Sequence, residues 1–155
     1  MASNRRETIR MTDAEQSEFI ADQKNLQVAT LNADGTAHLS TLWFAVVEGR
    51  LVFETYTKSQ KIKNLERDAR IACLLEDGTE YNRLRGLQIN GTAQLHTDPT
   101  DVQALAREVL RRNNPDVPTE LLDEATRRMA AKRTAVVVVA ERTVSWDHRK
   151  LDGAH

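Results

Sequence analysis

Hydroxyl and ammonium groups gather in one short segment, residues 55–67. The polar side chains at its start belong to Thr55, Thr57, Lys58, Ser59, Lys61 and Lys63. The pattern predicts that a strand ends near residue 57 and that a helix begins after Ser59, a good N-cap residue. A helix N-terminus presents unpaired N–H groups and the positive end of the helix dipole, and lysines beside it make a site for a phosphate monoester.

The same lysines also fit a second interpretation, a solvated helix face. Lysine is common near helix ends, and an exposed lysine needs no ligand. Residue spacing alone does not separate the two interpretations.

Two tryptophans and a histidine are further candidates. Trp43 and Trp146 can stack on a cofactor ring or anchor the core, and the sequence leaves both roles open. His148 precedes Arg149 and Lys150, a basic pair that can meet an anionic cofactor tail or lie in a solvated C-terminal tail.

The remaining residues give no sign of metal, thiol or hydrolytic chemistry. The four histidines lack ligand spacing, so no metal site is expected. Cys73 lies in an apolar run, which indicates a buried and unreactive side chain. A Ser-His-Asp set, a glycine-rich nucleotide loop and a paired-carboxylate motif are all missing from the sequence. Such a chain suits a reaction carried by a cofactor, and no catalytic side chain is identified.

Length and composition are those of one ordinary globular domain. The 155 residues are 40% hydrophobic and 29% charged, with a formal net charge of -1, so no overall field favours nucleic acid or a membrane surface. No apolar stretch approaches the roughly 20 residues of a membrane helix, and an apolar signal region is missing from the N-terminus. We therefore expect one cytoplasmic domain over residues 1–155, with residues 1–11 as a disordered tail.

The elements around the candidate segment are mostly strands. Runs rich in β-branched and aromatic residues alternate with the turn pairs Asp34-Gly35, Glu48-Gly49 and Asp77-Gly78. The six predicted strands cover residues 26–32, 36–47, 50–57, 70–76, 87–95 and 135–146. The valine run 136–139 in the last strand is typical of a strand buried on both faces.

Helical patterns account for the rest of the chain. A capping box of Thr12 and Glu15 predicts a helix to about residue 25. Asp98 followed by Pro99 predicts the start of a helix that ends near residue 113, and another is expected over 119–132. Six antiparallel strands would leave exposed edges in an open sheet, so we predict a closed or partly closed β-barrel with accessory helices.

Several short motifs, in this order, resemble the pyridoxamine 5'-phosphate oxidase-like superfamily of FMN-binding split barrels. They are VATL at 28–31, LSTLWF at 39–44, FETYTKS at 53–59, NLERDAR at 64–70 and RGLQINGTA at 85–93. The ending VSWDHRKL at 144–151 is similar to the actinobacterial branch that uses the deazaflavin coenzyme F420.

This resemblance implies a mainly β, six-stranded split-barrel homodimer with one cofactor site at each end of the interface. It places the cofactor phosphate on Ser59 and Lys61, with Thr55 and Thr57 in support, and the ring along strand 40–44 near Gln88. The expected cofactor-binding residues are Ser40, Trp43, Thr55, Thr57, Lys58, Ser59, Lys61, Gln88, Trp146 and His148.

The sequence departs from the oxidases proper at two places. Gln60 stands where they carry an arginine of an Arg-Lys pair, so the positive charge around the phosphate is weaker. Their Arg-Leu-His substrate motif is also missing from the C-terminus. Oxidation of pyridoxamine phosphate is therefore not expected.

The resemblance favours an oxidoreductase in which F420 passes a hydride to a small organic substrate. An FMN-dependent oxidoreductase of the same fold is one alternative. A protein that binds a flavin or haem without turnover is the other.

Overall fold

A seven-stranded antiparallel sheet forms the centre of the molecule in a computed structural model that describes residues 4–151. The sheet order is β2-β1-β5-β6-β7-β4-β3. Its strands are β1 (Asn25–Leu31), β2 (Ala37–Trp43), β3 (Ala45–Val47), β4 (Arg50–Tyr56), β5 (Arg70–Asp77), β6 (Arg85–His96) and β7 (Arg133–Asp147). The mainly β class is confirmed, with seven strands in place of the predicted six.

The additional strand arises because residues 36–47 form two strands separated by Phe44. Strand β2 pairs with β1, whereas β3 pairs with β4. The Phe44 carbonyl accepts a hydrogen bond of 3.4 Å from Asn113 Nδ2, and the Arg112 guanidinium lies 4.2 Å from the centre of the Phe44 ring. One stretch of chain thus supplies both edges of the sheet, which curls into a split-barrel arrangement.

The main core lies inside the curled sheet. Apolar residues from most of the strands meet there, including Leu26, Val28, Phe53, Leu75, Leu87 and Val136, each at most 1% exposed. The valine run is covered on both sides as expected, because Val136 and Val138 enter this core while Val137 packs outside it against Val52 and Val109.

Five α-helices of residues 4–151 surround the sheet. They are α1 (Arg5–Thr8), α2 (Asp13–Asp22), α3 (Gln60–Arg67), α4 (Pro99–Asn113) and α5 (Thr119–Ala130). The predicted N-caps are confirmed, since the side-chain oxygens of Thr12, Ser59 and Asp98 each accept a backbone N–H from the first turn of their helix. Helix α4 packs on the outer face of β3, β4 and β7 through Val109 and its neighbours.

The N-terminal segment differs from the disordered tail expected for residues 1–11. Residues 5–8 form α1, and Met11 is 3% exposed within the main core. The Asp147 N–H donates to the Ile9 carbonyl at 2.7 Å, which fixes the segment to the end of β7. Residues 1–3 lie outside the described part. Within residues 4–151 no helix is long and apolar enough to cross a membrane.

Candidate functional site

A gap opens in the curled sheet between β2 and β4. In the described part of the chain β2 pairs only with β1, and β3 covers β4 only as far as Val52. The edge of β4 from Phe53 to Tyr56 therefore has no neighbouring strand on the β2 side. The region between these two unpaired edges, which reaches the start of α3, is called the groove below.

Helix α3 closes one end of the barrel because it is tied to β1. Asn64 is fully buried, and its Nδ2 donates to Thr30 Oγ1 at 3.1 Å and to Asn32 Oδ1 at 2.9 Å. The Asn64 Oδ1 atom accepts from Gln60 and Arg67. The sequence prediction missed Asn64, although a polar residue between the buried Ile62 and Leu65 is a signal for such a bond.

Lys61 is the half-buried lysine of the segment. Its Nζ lies 3.4 Å from Thr55 Oγ1, on the strand that leads into the helix. Desolvation by burial lowers the pKa of Lys61 below its ordinary value. Lys58 and Lys63 are exposed, so the solvated-face interpretation describes those two lysines and does not describe Lys61.

The hydroxyl groups of the segment have defined partners. Thr57 Oγ1 lies 2.9 Å from Thr134 Oγ1, and Ser59 Oγ accepts the Ile62 N–H at 3.4 Å. Ser59 is thus confirmed as the helix cap. The first turn of α3 has no acidic residue, so its N–H groups and dipole add to the charge of Lys61 without local neutralisation.

Two polar side chains of β2 face the barrel interior. Ser40 pairs with Val28 and His38 with Thr30, whose side chains are buried. The Ser40 Oγ and His38 Nδ1 atoms are buried without a hydrogen-bond partner among the described residues. Buried polar atoms normally have partners, so this pair marks the groove as a place for a polar ligand or water.

The sequence prediction included Ser40 and missed His38. The signal that could have identified His38 is the alternation of residue types in β2, which puts polar residues on the inner face and large apolar residues on the outer face. Leu39 and Trp43 are exposed, 73% and 44%, while His38 and Ser40 occupy the inward positions.

The remaining predicted cofactor residues lie at the other end of the molecule. Trp146 pairs with Gly86, and Gln88 pairs with Val144 on the same two strands. His148 follows directly after β7. Thr55 pairs with Thr134, and the stretch of β7 from Thr134 to Trp146 spans roughly 40 Å at about 3.3 Å per residue. Within one chain Trp146 therefore lies at the opposite end of β7 from the pairing with the strand that leads to Lys61.

The basic pair beside His148 is already neutralised. The Arg149 guanidinium contacts the Asp147 carboxylate at 2.7 Å, and Lys150 Nζ lies 2.8 Å from a carboxylate oxygen of Glu15. Lys150 also donates to the Arg10 carbonyl. Lys150 thus attaches the segment after β7 to α2, a contact that was not foreseen from the sequence.

Cys73 fits the expectation of a structural thiol. It is 1% exposed in the main core, and desolvation by burial raises its pKa to about 12. Because the thiolate is the reactive form, Cys73 has no role in chemistry near neutral pH.

Comparison with solved structures finds a relative of substantial sequence identity. The conserved hypothetical protein Rv2991 from Mycobacterium tuberculosis is 38% identical, with a TM-score of 0.89 over 99% of this chain and 95% of that one. A search of curated proteins found no match.

More distant structures share the fold. An F420 reductase is 23% identical with a TM-score of 0.63, covering 82% of this chain and 94% of that one. HutZ, the haem storage protein from Vibrio cholerae, is 15% identical with a TM-score of 0.68, covering 86% and 94%.

The family comparison covers most of the chain. The model of the pyridoxamine 5'-phosphate oxidase family matches residues 12–147, a range that includes helix α3 and all seven strands of the sheet. The chain therefore belongs to the pyridoxamine 5'-phosphate oxidase family.

Proposed function

We propose that this protein is an oxidoreductase that binds coenzyme F420 and transfers a hydride between it and a small organic substrate. The observation that carries the proposal is the half-buried Lys61 at the start of α3, next to a groove with buried polar atoms that have no described partner. The family commonly binds flavin, and one structural relative is an F420 reductase.

The residues of the groove fit a phosphate-bearing flavin or deazaflavin. Lys61 and the N–H groups of the first turn of α3 would hold the phosphate, with the hydroxyls of Thr55, Thr57 and Ser59 around it. Lys58 would add a more distant positive charge. Ser40 Oγ would gain the hydrogen bond it lacks from the ring system along β2. The bound cofactor supplies the hydride chemistry, and the chain binds and orients it.

A homodimer would unite the two groups of predicted cofactor residues. The outer face of the sheet carries Leu39, 73% exposed, and Val144, 42% exposed, with a shallow apolar groove of about 370 Å³ lined in part by Ala29, Leu31 and Ala72. A two-fold axis through this face would set the Trp146 end of one protomer near the Lys61 end of its partner. Trp43, Gln88, Trp146 and His148 would then belong to the partner's side of the site.

The test of dimerisation uses the exposed leucine. Leu39→Glu should convert a dimer to a monomer in sedimentation velocity, while Leu121→Glu, on the 56% exposed Leu121 of α5, should leave the dimer intact. If the wild-type protein sedimented as a monomer at all concentrations, the homodimer proposal would be wrong.

The cofactor test compares three ligands with the purified protein. We expect quenching of F420 fluorescence on titration, with weaker binding of FMN. FMN bound more tightly would favour the FMN-dependent alternative. Haemin bound with a shifted Soret band, without binding of either flavin-type cofactor, would favour a haem-binding protein without turnover. The name of the Vibrio cholerae relative describes that protein as a haem storage protein.

The test of turnover follows the absorbance of reduced F420. With the protein present, addition of a quinone or nitroaromatic acceptor should speed the loss of reduced cofactor above the rate without protein. Binding of F420 with no acceleration by any acceptor would make the protein a carrier and contradict the oxidoreductase proposal.

A further inference from the structure

A cleft of about 500 Å³ lies between the second half of α2, the β3–β4 hairpin and the last turns of α4, and is called the α2–α4 cleft below. Its size is within the usual range of small-molecule sites, roughly 300 to 1,000 Å³. It borders the turn before β4, whereas Thr55 lies near the other end of that strand, roughly 17 Å from Arg50 at about 3.3 Å per residue. None of the residues that line it is a predicted cofactor-binding residue.

Apolar side chains form part of the lining of the α2–α4 cleft. Ile20 packs against the main core from α2, and Ala45 belongs to the outer cluster beneath α4. Val46 is 44% exposed, although it pairs with Leu51 inside the sheet. A ligand that covered Val46 and Ile20 would remove apolar surface from water, which favours binding.

Arg112 supplies a charge on the α4 side of the cleft. Its Nη2 donates to the carbonyl oxygens of Ile20 and Ala21 at 2.8 and 3.3 Å, and its guanidinium lies 4.2 Å from the centre of the Phe44 ring. These contacts fix the orientation of the guanidinium through one nitrogen, so Nε and Nη1 can donate to a ligand. Within residues 4–151 no carboxylate forms an ion pair with Arg112.

The other charges in the lining compensate each other. Arg111 Nη1 lies 3.1 Å from Glu108 Oε1 on the same helix. Among the described residues, these two and Arg112 are the charged members of the lining, so the cleft keeps one net positive charge. Burial lowers the pKa of Arg112, which means that its charged form has lost hydration that an anion beside it would replace.

We propose that the α2–α4 cleft is a binding site for an aliphatic carboxylate. The alkyl chain would cover Val46 and Ile20, and the carboxylate would accept the N–H groups of Arg112 Nε and Nη1 in the forked pairing that a guanidinium favours. The apolar lining favours an alkyl chain over a small inorganic anion, and the single net charge favours a monoanion over a phosphate ester. This inference uses contacts within one chain and does not rest on the proposed function.

The test uses three related probes in isothermal titration calorimetry of the full chain. Octanoate carries both the alkyl chain and the charge, 1-octanol lacks the charge, and butyrate has a shorter chain. Each buried methylene group should strengthen binding about fourfold, so octanoate should bind roughly tenfold or more tightly than butyrate. A similar advantage over 1-octanol is expected from the charge of Arg112. Equal affinity for octanoate and either of the other probes would overturn the proposal.

A variant at Val46 locates the site. Val46→Glu places a carboxylate in the cleft, so it should weaken octanoate binding by roughly tenfold or more through repulsion and loss of apolar contact. Val117→Glu, on a 38% exposed valine between α4 and α5, is the matched control and should bind octanoate as the wild type does. Lys61→Ala should also leave the affinity unchanged. Weaker binding in Lys61→Ala, with none lost in Val46→Glu, would place octanoate in the cofactor groove and refute the second site.

Variants of Arg112 test the role of its charge. Arg112→Gln should weaken octanoate about tenfold, while the affinity for 1-octanol should stay the same because the alcohol does not use the charge. Arg112→Lys should recover part of the loss, since it keeps the charge without the forked geometry. Arg112 also ties α4 to α2, so circular dichroism checks the fold of both variants, and Val46→Glu tests the cleft with that tie intact. An equal loss of octanoate and 1-octanol in Arg112→Gln would show that Arg112 only shapes the cleft and would contradict the carboxylate assignment.

Discussion

The ammonium group of Lys61 lies 3.4 Å from the hydroxyl of Thr55 across the junction of β4 and α3. Burial lowers the pKa of this lysine, which means that the folded protein partly desolvates a charge without providing a carboxylate among residues 4–151 to balance it. A phosphate group at this position would supply the missing negative charge.

Lys61→Ala should therefore weaken cofactor binding and leave the fold intact. Loss of a charge-assisted contact costs about 1.5 to 3 kcal/mol, or roughly tenfold to more than a hundredfold in Kd. Fluorescence titration with F420 measures the change, and circular dichroism checks the fold. Lys63→Ala, on an exposed lysine of the same helix, is the matched control and should bind as the wild type does. Equal affinity of the two variants would contradict the phosphate assignment.

Cys73 should resist thiol reagents until the protein unfolds. Its pKa of about 12 reduces the thiolate fraction at neutral pH by about three orders of magnitude relative to an ordinary cysteine. A chromogenic disulfide reagent should therefore label the native protein only at the rate at which the core opens, and adding urea should speed the labelling in step with unfolding. Labelling within seconds under native conditions would show that the thiol is accessible.

Local rules predicted much of the secondary structure. The caps at Thr12, Ser59 and Asp98 depend on neighbouring residues only, so the sequence was sufficient to find them. The break at Phe44 depends instead on a bond from Asn113 and on a change of partner strand. Neither leaves a mark in residues 36–47, which contain no Gly, Pro, Asn or Asp to signal a break in the strand.

The grouping of the candidate site residues stays a prediction about the dimer. The resemblance grouped Trp146 with Lys61 at a subunit interface, and within one chain Trp146 lies at one end of β7 while the other end of β7 pairs with the strand that leads to Lys61. That separation follows from strand register, which only the folded sheet fixes. Arg6 and Arg142 are far apart in sequence and line one cleft because the Ile9 carbonyl accepts the Asp147 N–H, a contact between distant parts of the chain.

Asp147 should stabilise the fold in a pH-dependent way. It is 3% exposed, and hydrogen bonds from Arg149 are the main cause of its lowered pKa. Because the folded-state pKa is below the unfolded value of about 3.9, the stabilisation is present above that value and is lost as the pH falls through the folded pKa.

Asp147→Asn should cost about 1.5 to 3 kcal/mol in the free energy of unfolding at pH 7, and this difference from the wild type should shrink towards pH 2. Urea denaturation between pH 7 and pH 2 measures the loss of stability and its decrease with falling pH. Asp68→Asn is a useful comparison, because the carboxylate of Asp68 also has a lowered pKa, about 2, from an exposed arginine partner. At pH 7, Asp68→Asn should lower the free energy of unfolding by less than Asp147→Asn does, since solvent screens the ion pair of Asp68 with Arg70. A constant difference between Asp147→Asn and the wild type at all pH values would show that its charge is not what stabilises the fold.

The two glycines of β6 should differ in their tolerance of a methyl group. A Cβ atom at Gly91 would lie 2.1 Å from the backbone carbonyl oxygen of Val139, at the irregularity where the β6–β7 register shifts. A Cβ atom at Gly86 would instead meet the indole ring of Trp146. A side chain can rotate away, whereas the backbone of a paired strand moves only if its hydrogen bonds are broken. Gly86→Ala should therefore lower the free energy of unfolding by about 1 to 3 kcal/mol, the usual range for overpacking, and Gly91→Ala should lower it by more.

Urea denaturation of the two variants measures which of them is less stable. Tryptophan emission adds an independent check, because Gly86→Ala should shift it through displacement of Trp146 while folded Gly91→Ala should not. If Gly91→Ala proved the more stable variant, the two strands would have to be less tightly apposed at Gly91 than the structure places them.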